Sequence, residues 1–458
     1  MNLTFSELAD AVSGSLLNAD PHHTISCVST DSREKIPNGL FFAIPGERFD
    51  GHDFLEAARS NGAALLCIEE GAIEKLPQGA PALVVKSTVK AYQAAAGYYK
   101  NKFPGLKTIG LTGSSGKTST KEMLRAIFVQ ALGEDHVLAT EGNTNNQIGV
   151  PANLFRLNEN HKIAIIEAGT NHFGEISPLA QIIKPDAAVI VSIGQCHLEH
   201  LISLEGVATE KSDLFRSLSA DGCAIIPAGC PQNHILEDAA DSRHIIHAGA
   251  SGDIQADYLG GNIDGSSFIL KDNRTKESIR VNWHLSGKHQ ALNAAMAAAA
   301  AVEFGIPLKT IAEGLKNCRL PGLRMKKSEH FGATWLNDAY NANPDSMRAT
   351  LVWLAEFADP EKTILILGDM LEIGENPIQV HEKILKEALN LFPKIKILAV
   401  GTQMTEAAGI LECNQIIPFR NASDCAIEVE KHVIPGGIVF LKASRGTHLE
   451  KVEPENDL

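Results

Sequence analysis

A lysine and a threonine set directly behind a glycine turn are the residue types that grip a phosphate chain. This sequence carries them as Gly113, Ser114, Ser115, Gly116, Lys117, Thr118 and Ser119. In such a loop the backbone N–H groups and the helix start point at phosphates, the lysine adds a cation, and the threonine hydroxyl can reach Mg²⁺. A loop that only turned a strand into a helix would not need Lys-Thr straight after its second glycine. The longer form of the motif wants glycine five positions before Gly116, where Leu111 stands, so the loop is a short one.

Four further groups could join that chemistry. Glu167 ends the apolar run Lys162–Glu167, and a carboxylate there is costly unless it is paired or holds a metal. His197 follows the apolar run that ends at Ile193, which brings it to the sheet edge shared by Glu167 and the phosphate loop. A single histidine is otherwise a structural residue, and Glu199 and His200 read as loop surface. Lys211 lies in Ala208-Thr-Glu-Lys-Ser-Asp-Leu-Phe215. On sequence alone it is one solvated lysine among many.

The elements that must hold these groups alternate. Thr108, Ile109 and Leu111 lead into the loop as a strand, and Met123, Leu124, Ile127, Phe128, Ala131 and Leu132 recur at helical spacing behind it. From about 86 to 322 the strands are 107–111, 162–167, 187–193 and 222–227, with helices after Gly116, Asn146 and Glu205 and another over 287–304. Strands alternating with helices imply a parallel, doubly wound sheet with ligands beyond the strand C-termini. The alanine run 294–301 resembles low complexity but reads more simply as a closely packed helix.

Before this region, Thr4-Phe-Ser-Glu7 is a capping box opening a helix through Val12, followed by short strands at 25–29, 39–44, 64–68 and 82–85. The polar segments 29–33 and 45–53 fit solvated turns, or loops for a phosphorylated ligand. After the Pro-Gly of Leu320–Arg324 a smaller α/β unit begins, with strands 363–367, 395–400 and 437–442. The expected class is α/β in three domains: a small domain over 1–85, a central parallel-sheet domain over 86–322, and a Rossmann-like domain over 323–458. The loops Asn143-Thr144-Asn145-Asn146 and Asp338–Ser346 fit either plain surface or a polar ligand site, and 368–374 follows a buried strand where a ligand-facing loop belongs.

Composition narrows the partners. The 458 residues carry a net charge of -14, which argues against a nucleic-acid binder. Eight cysteines show no CxxC pair, so reduced thiols in the cytoplasm are expected rather than a zinc ribbon or disulfide frame. No run reaches the length of a membrane span and no leader pattern opens the chain, so neither membrane insertion nor a signal peptide is expected.

Taken in order, these segments resemble the Mur ligase family. The short loop Thr112–Thr118 is similar to that family's phosphate loop. Ser29–Arg33, Leu40–Gly46, Asp50–Asp53, Asn143–Asn146, His197–Glu199, Asp338–Pro344, Gly368–Gly374 and Lys442–Arg445 resemble its D-alanyl-D-alanine-adding branch. Lys442-Ala-Ser-Arg445 has alanine where that pattern has glycine, and Gly446-Thr-His448 also departs, which touches loop shape and leaves Ser444 and Arg445 in place. The resemblance implies a cytoplasmic, monomeric amide-bond former that uses ATP and Mg²⁺, with a UDP-MurNAc-tripeptide and D-alanyl-D-alanine as substrates.

It also implies residue roles. Lys117, Lys211, His197 and Arg324 would be catalytic. Residues 113–119, Asn293, Arg324 and Asp338 would hold ATP. Thr118, Glu167, His197 and a carbamylated Lys211 would hold metal. Thr30, Ser32, Arg33, Gly46, Asp50, His52 and Asn143–Asn146 (with Thr144 and Asn145) would take the UDP-sugar peptide. Tyr340, Asn341, Asn343 and Ser346 would lie on the dipeptide side. The alternatives are a sister ligase adding the third amino acid, a folylpolyglutamate synthase-like ligase, and a P-loop switch without ligase chemistry. The last accounts for Gly113–Thr118 alone.

Overall fold

The computed structural model describes residues 1–454 and is mixed α/β throughout. Its contacts divide it into two compact units. One comprises Met1–Gly110, Asp135–Gly169 and Glu175–Pro185, and the other Leu111–Glu134, Thr170–Gly174 and the chain from Asp186 onward.

In the first unit the capping box forms as its residue types require. Thr4 Oγ1 accepts from Glu7 N at 3.1 Å and Glu7 Oε2 accepts from Thr4 N at 2.8 Å, opening the helix Phe5–Val12. A five-stranded sheet runs in the order Ser15–Leu17, Ala82–Val85, Ala63–Glu69, Gly39–Phe42, Val28–Ser29. Only its first pair is antiparallel. The loops after Val28–Ser29 and Gly39–Phe42 therefore leave one edge of the sheet side by side. A second parallel pair joins Val137–Ala139 to Ile163–Glu167.

The second unit begins where the strand Lys107–Thr112 runs into the glycine loop and the helix Lys117–Leu132. Val191 N donates to Thr112 O at 2.9 Å, which puts the strand Ala187–Ile190 beside the end of that strand. Cys223–Pro227, His244–Gly249 and the start of Ile254–Asn262 follow in parallel. The alternation expected over 86–322 breaks here, because Ile254–Asn262, Gly265–Asp272 and Glu277–Trp283 form an antiparallel meander. Side chains of Gly265–Asp272 alternate strictly between part-exposed and buried, the period of a sheet with one wet face. The alternation is written in the sequence, and the hairpin turns at Ile263-Asp264 just before it.

The helix Lys288–Glu303 contains the alanine run, and every alanine from Ala297 to Ala301 is fully buried. The same unit holds a six-stranded sheet in the order Lys326–His330, Ala333–Asn337, Ile438–Lys442, Thr363–Gly368, Lys396–Val400, Ile416–Phe419, antiparallel only at the first pair. Trp335, Trp353 and Phe440 anchor its two apolar faces.

Candidate active site

The glycine loop is fixed by the strand end beside it. Ser114 N donates to Ser192 O, Ser115 N to Ser192 Oγ, and Gly194 N to Ser114 Oγ, each at 2.9 Å. Lys117 Nζ folds back to Gly113 O at 2.8 Å. Gly116 has a φ of 79°, and a Cβ there would stand 2.5 Å from Asn293 Oδ1. Only glycine satisfies both conditions. Thr118 and Ser119 are buried in the first helical turn, where the helix dipole favours an anion.

The segment beyond residue 320 supplies the opposite wall of this site. Arg324 Nη2 donates to Thr118 Oγ1 at 3.1 Å, and its guanidinium stacks over the Tyr340 ring at 3.8 Å. Asn343 Nδ2 donates to Ser115 Oγ at 2.9 Å. Its Oδ1 accepts from Ser346 N at 2.8 Å, capping the helix Pro344–Leu354. Asn343, expected on the dipeptide side, is thus tied to the phosphate loop. Asp338 accepts from Lys442 Nζ at 2.5 Å, and that ammonium also reaches Asn341 O at 3.3 Å. Asp345, which the sequence reading passed over, accepts from Gln195 N at 3.0 Å.

Lys211 is 1% exposed, so the solvated reading fails. Burial above all, with nearby Lys117, pulls its amine down to about 8 against the opposing pull of Cys196 and Glu210. The adjacent Glu210 is itself buried and accepts from Gly174 N at 2.7 Å and Thr170 Oγ1 at 3.3 Å. His197 Nδ1 lies 2.6 Å from Glu372 Oε2, and that contact holds the Glu372 carboxyl below its ordinary range. Glu372 falls in the loop 368–374 marked in the sequence, although its own role was not read there. Glu199 and His200 are exposed, and His200 stacks on His172 at 4.0 Å. Leu201–Ser203 closes a γ-turn: Ser203 N donates to Leu201 O at 2.7 Å, and Ile202 has a φ of 67°. A β-branched residue held at that angle is strained backbone, placed between His197 and the helix carrying Lys211.

In the first unit Glu167 is 1% exposed and accepts from Asn145 Nδ2 at 2.8 Å. Asn146 Oδ1 turns the loop by accepting from Gly149 N at 2.9 Å, and Thr144 Oγ1 donates to Glu141 O at 2.7 Å. Asn143 is exposed. Arg33 is bound to Asp31 in the same loop, at 2.8 Å from Nε and 2.6 Å from Nη2. Asn61 Nδ2 donates to Ser32 O at 2.8 Å, and Thr30 is half-buried. His52 is buried; its Nε2 accepts from Glu69 N at 3.0 Å, so its Nδ1–H faces Asp50 Oδ1 at 2.7 Å. Both ring nitrogens therefore brace the loop, which leaves Gly46 and the exposed Phe49 at its tip.

Known proteins resemble this chain along nearly its whole length. Residues 24–103 match the Mur ligase family, catalytic domain; 111–301 match the Mur ligase middle domain; and 323–445 match the Mur ligase, glutamate ligase domain. The chain is 33% identical to the UDP-N-acetylmuramoyl-tripeptide--D-alanyl-D-alanine ligase of Bacillus subtilis, over 98% of this chain and 97% of that one. It is 36% identical to the Escherichia coli enzyme of the same name, over 90% and 89%. A crystal structure of MurF from Acinetobacter baumannii superposes with a TM-score of 0.90 at 30% identity, covering 99% and 98%.

Proposed function

This chain belongs to the Mur ligase family, and on that premise we propose that it joins D-alanyl-D-alanine to a UDP-N-acetylmuramoyl-tripeptide at the expense of ATP. The reading rests on one juxtaposition: Ser115 and Thr118 of the phosphate loop are hydrogen-bonded to Asn343 and Arg324. The nucleotide end and the segment that would carry the acceptor thus share one site. Residues 1–85 are assigned to the UDP-sugar, 86–322 to ATP and 323–458 to the dipeptide, in a single-chain enzyme of the cytoplasm.

The tripeptide's terminal carboxylate attacks the γ-phosphorus of ATP, the bond to the β-phosphate oxygen breaks, and ADP leaves with an acyl phosphate formed. The dipeptide amine then attacks the acyl carbon and gives up a proton to solvent, and the C–O bond to phosphate breaks, releasing inorganic phosphate. Such a transfer needs alignment and charge neutralisation more than covalent help. Lys117 and the loop N–H groups supply both, and Arg324, braced on Tyr340, donates to Thr118 of the same loop. Within the second unit the buried Thr118 hydroxyl suits a hard cation. Thr118, His197 and carbamylated Lys211 of the second unit are residues that would hold Mg²⁺, which would offset the phosphate charge; Glu167 of the first unit is a further carboxylate suited to such an ion. A buried amine lowered to about 8 is partly unprotonated near neutrality, the form that adds CO₂.

Phosphate release with each substrate combination tests the proposal. Turnover should require both the UDP-linked tripeptide and D-alanyl-D-alanine. Turnover independent of the dipeptide, or none with a lysine- or diaminopimelate-containing tripeptide, would overturn it.

A further inference from the structure

Far from the phosphate loop, Cys223, His244 and Glu303 bring a thiol, an imidazole and a carboxylate within 4.8 Å of one another. Three separate elements deliver them. Cys223 opens the strand Cys223–Pro227, His244 opens His244–Gly249, and the two are paired directly across the parallel register. Glu303 is the last residue of the helix Lys288–Glu303. Both strands begin at this edge, whereas the phosphate loop leaves the opposite, C-terminal edge of the same sheet.

We propose that Cys223, His244 and Glu303 form a zinc site that clamps the start of two sheet strands to the end of the alanine-rich helix. The donor types select the metal. A thiolate with an imidazole and one carboxylate suits Zn²⁺, whereas Mg²⁺ takes oxygen ligands. With Zn–S near 2.3 Å and Zn–N and Zn–O near 2.1 Å, a tetrahedron sets its donors roughly 3.3–3.8 Å apart. His244 Nδ1 and Glu303 Oε2 already stand 3.3 Å apart. Solvent supplies the fourth ligand, because His244 and Glu303 are 53% and 28% exposed in their side chains while Cys223 is closed off behind them. That exposure also gives the ion a way in.

The electrostatics favour a cation. The helix ends here, with the negative end of its dipole, and its last turn holds no basic residue. A neighbouring cation, Arg274, is bound by both oxygens of Asp272, at 3.0 and 2.9 Å, so its charge is largely offset. Without metal the Cys223 thiol donates to Ala224 O at 3.9 Å, and burial pushes it up to about 12. Zinc binding releases that proton to solvent and forms the Zn–S bond in its place.

The full-length chain, stripped with a chelator and then dialysed against buffered Zn²⁺, should retain one zinc that Cys223→Ser and His244→Ala each lose. Glu303→Gln should weaken retention by about tenfold or more. Co²⁺ in place of zinc should give a near-ultraviolet thiolate-to-cobalt band in the parent chain and none in Cys223→Ser. Zinc should raise the thermal midpoint of the parent only. His244→Ala, at an exposed position, covers the case in which Cys223→Ser fails to fold. No bound zinc after equilibration, or equal zinc in the parent and His244→Ala, would show a side-chain cluster that holds no metal. ATP-dependent phosphate release by His244→Ala should be unchanged, which separates this site from the ligase reading.

Discussion

The Arg324 guanidinium lies 3.8 Å above the centre of the Tyr340 ring while donating to Thr118 at 3.1 Å. The arginine is held between an aromatic face and the phosphate loop. A cation over an aromatic ring contributes about 0.5–2 kcal/mol. Tyr340→Ala should therefore raise the KM for ATP by about 2- to 30-fold, and Tyr340→Phe should retain most of the parent affinity. Initial-rate kinetics at saturating dipeptide measure both, and an unchanged KM in the alanine variant would remove Arg324 positioning from the account.

Gly116→Ala tests the loop itself. Its φ of 79° and the 2.5 Å approach to Asn293 Oδ1 oppose any side chain. Nucleotide affinity, read by titration with a fluorescent ATP analogue, should fall by at least about tenfold, because left-handed strain and displacement of Asn293 act together.

Uncarbamylated, Lys211 should leave a pH signature in stability. Below about 8 its amine is protonated in both folded and unfolded chains; between there and the ordinary 10.5, only the unfolded chain keeps the proton. The unfolded state binds more protons in that window, so the contribution of Lys211 to stability rises with pH from about 8 to 10.5. Lys211→Met should flatten that rise in denaturant titrations. Lys211→Ala should lose ligase activity, and short carboxylates should restore part of it. Full activity of that variant without additives would leave the buried amine without a role.

Asn343→Ala removes a helix cap and a bond to the phosphate loop in one step. Loss of the cap should cost about 0.5–2 kcal/mol, seen as a lower thermal midpoint. Asn343→Ser should recover most of that stability but not the bond to Ser115, so a KM for ATP raised in both variants would separate the two effects.

The glycine loop, the strand–helix alternation around it and the Thr4–Glu7 cap were legible because each is local, written in residue types a few positions apart. Lys211 was not. Nothing next to it in sequence distinguishes a buried lysine from a wet one, since its enclosure comes from distant chain segments. Glu372 and Asp345 were hidden for the same reason: their partners, His197 and Gln195, lie 175 and 150 residues away. The antiparallel meander carries the period of two that marks such strands, but the strands expected from sequence include none between 227 and 287.

Most helices in this chain have a dry side and a wet side, and the wet side can drift in sequence at little cost. From Ala297 to Ala301 the long helix has no wet side, and each position carries the smallest side chain that still favours a helix. Any larger residue must displace a neighbouring sheet or helix, while glycine would loosen the helix itself. A run that looks compositionally careless is therefore the segment with the least room to vary, and descendants of this sequence should diverge around it long before they diverge within it.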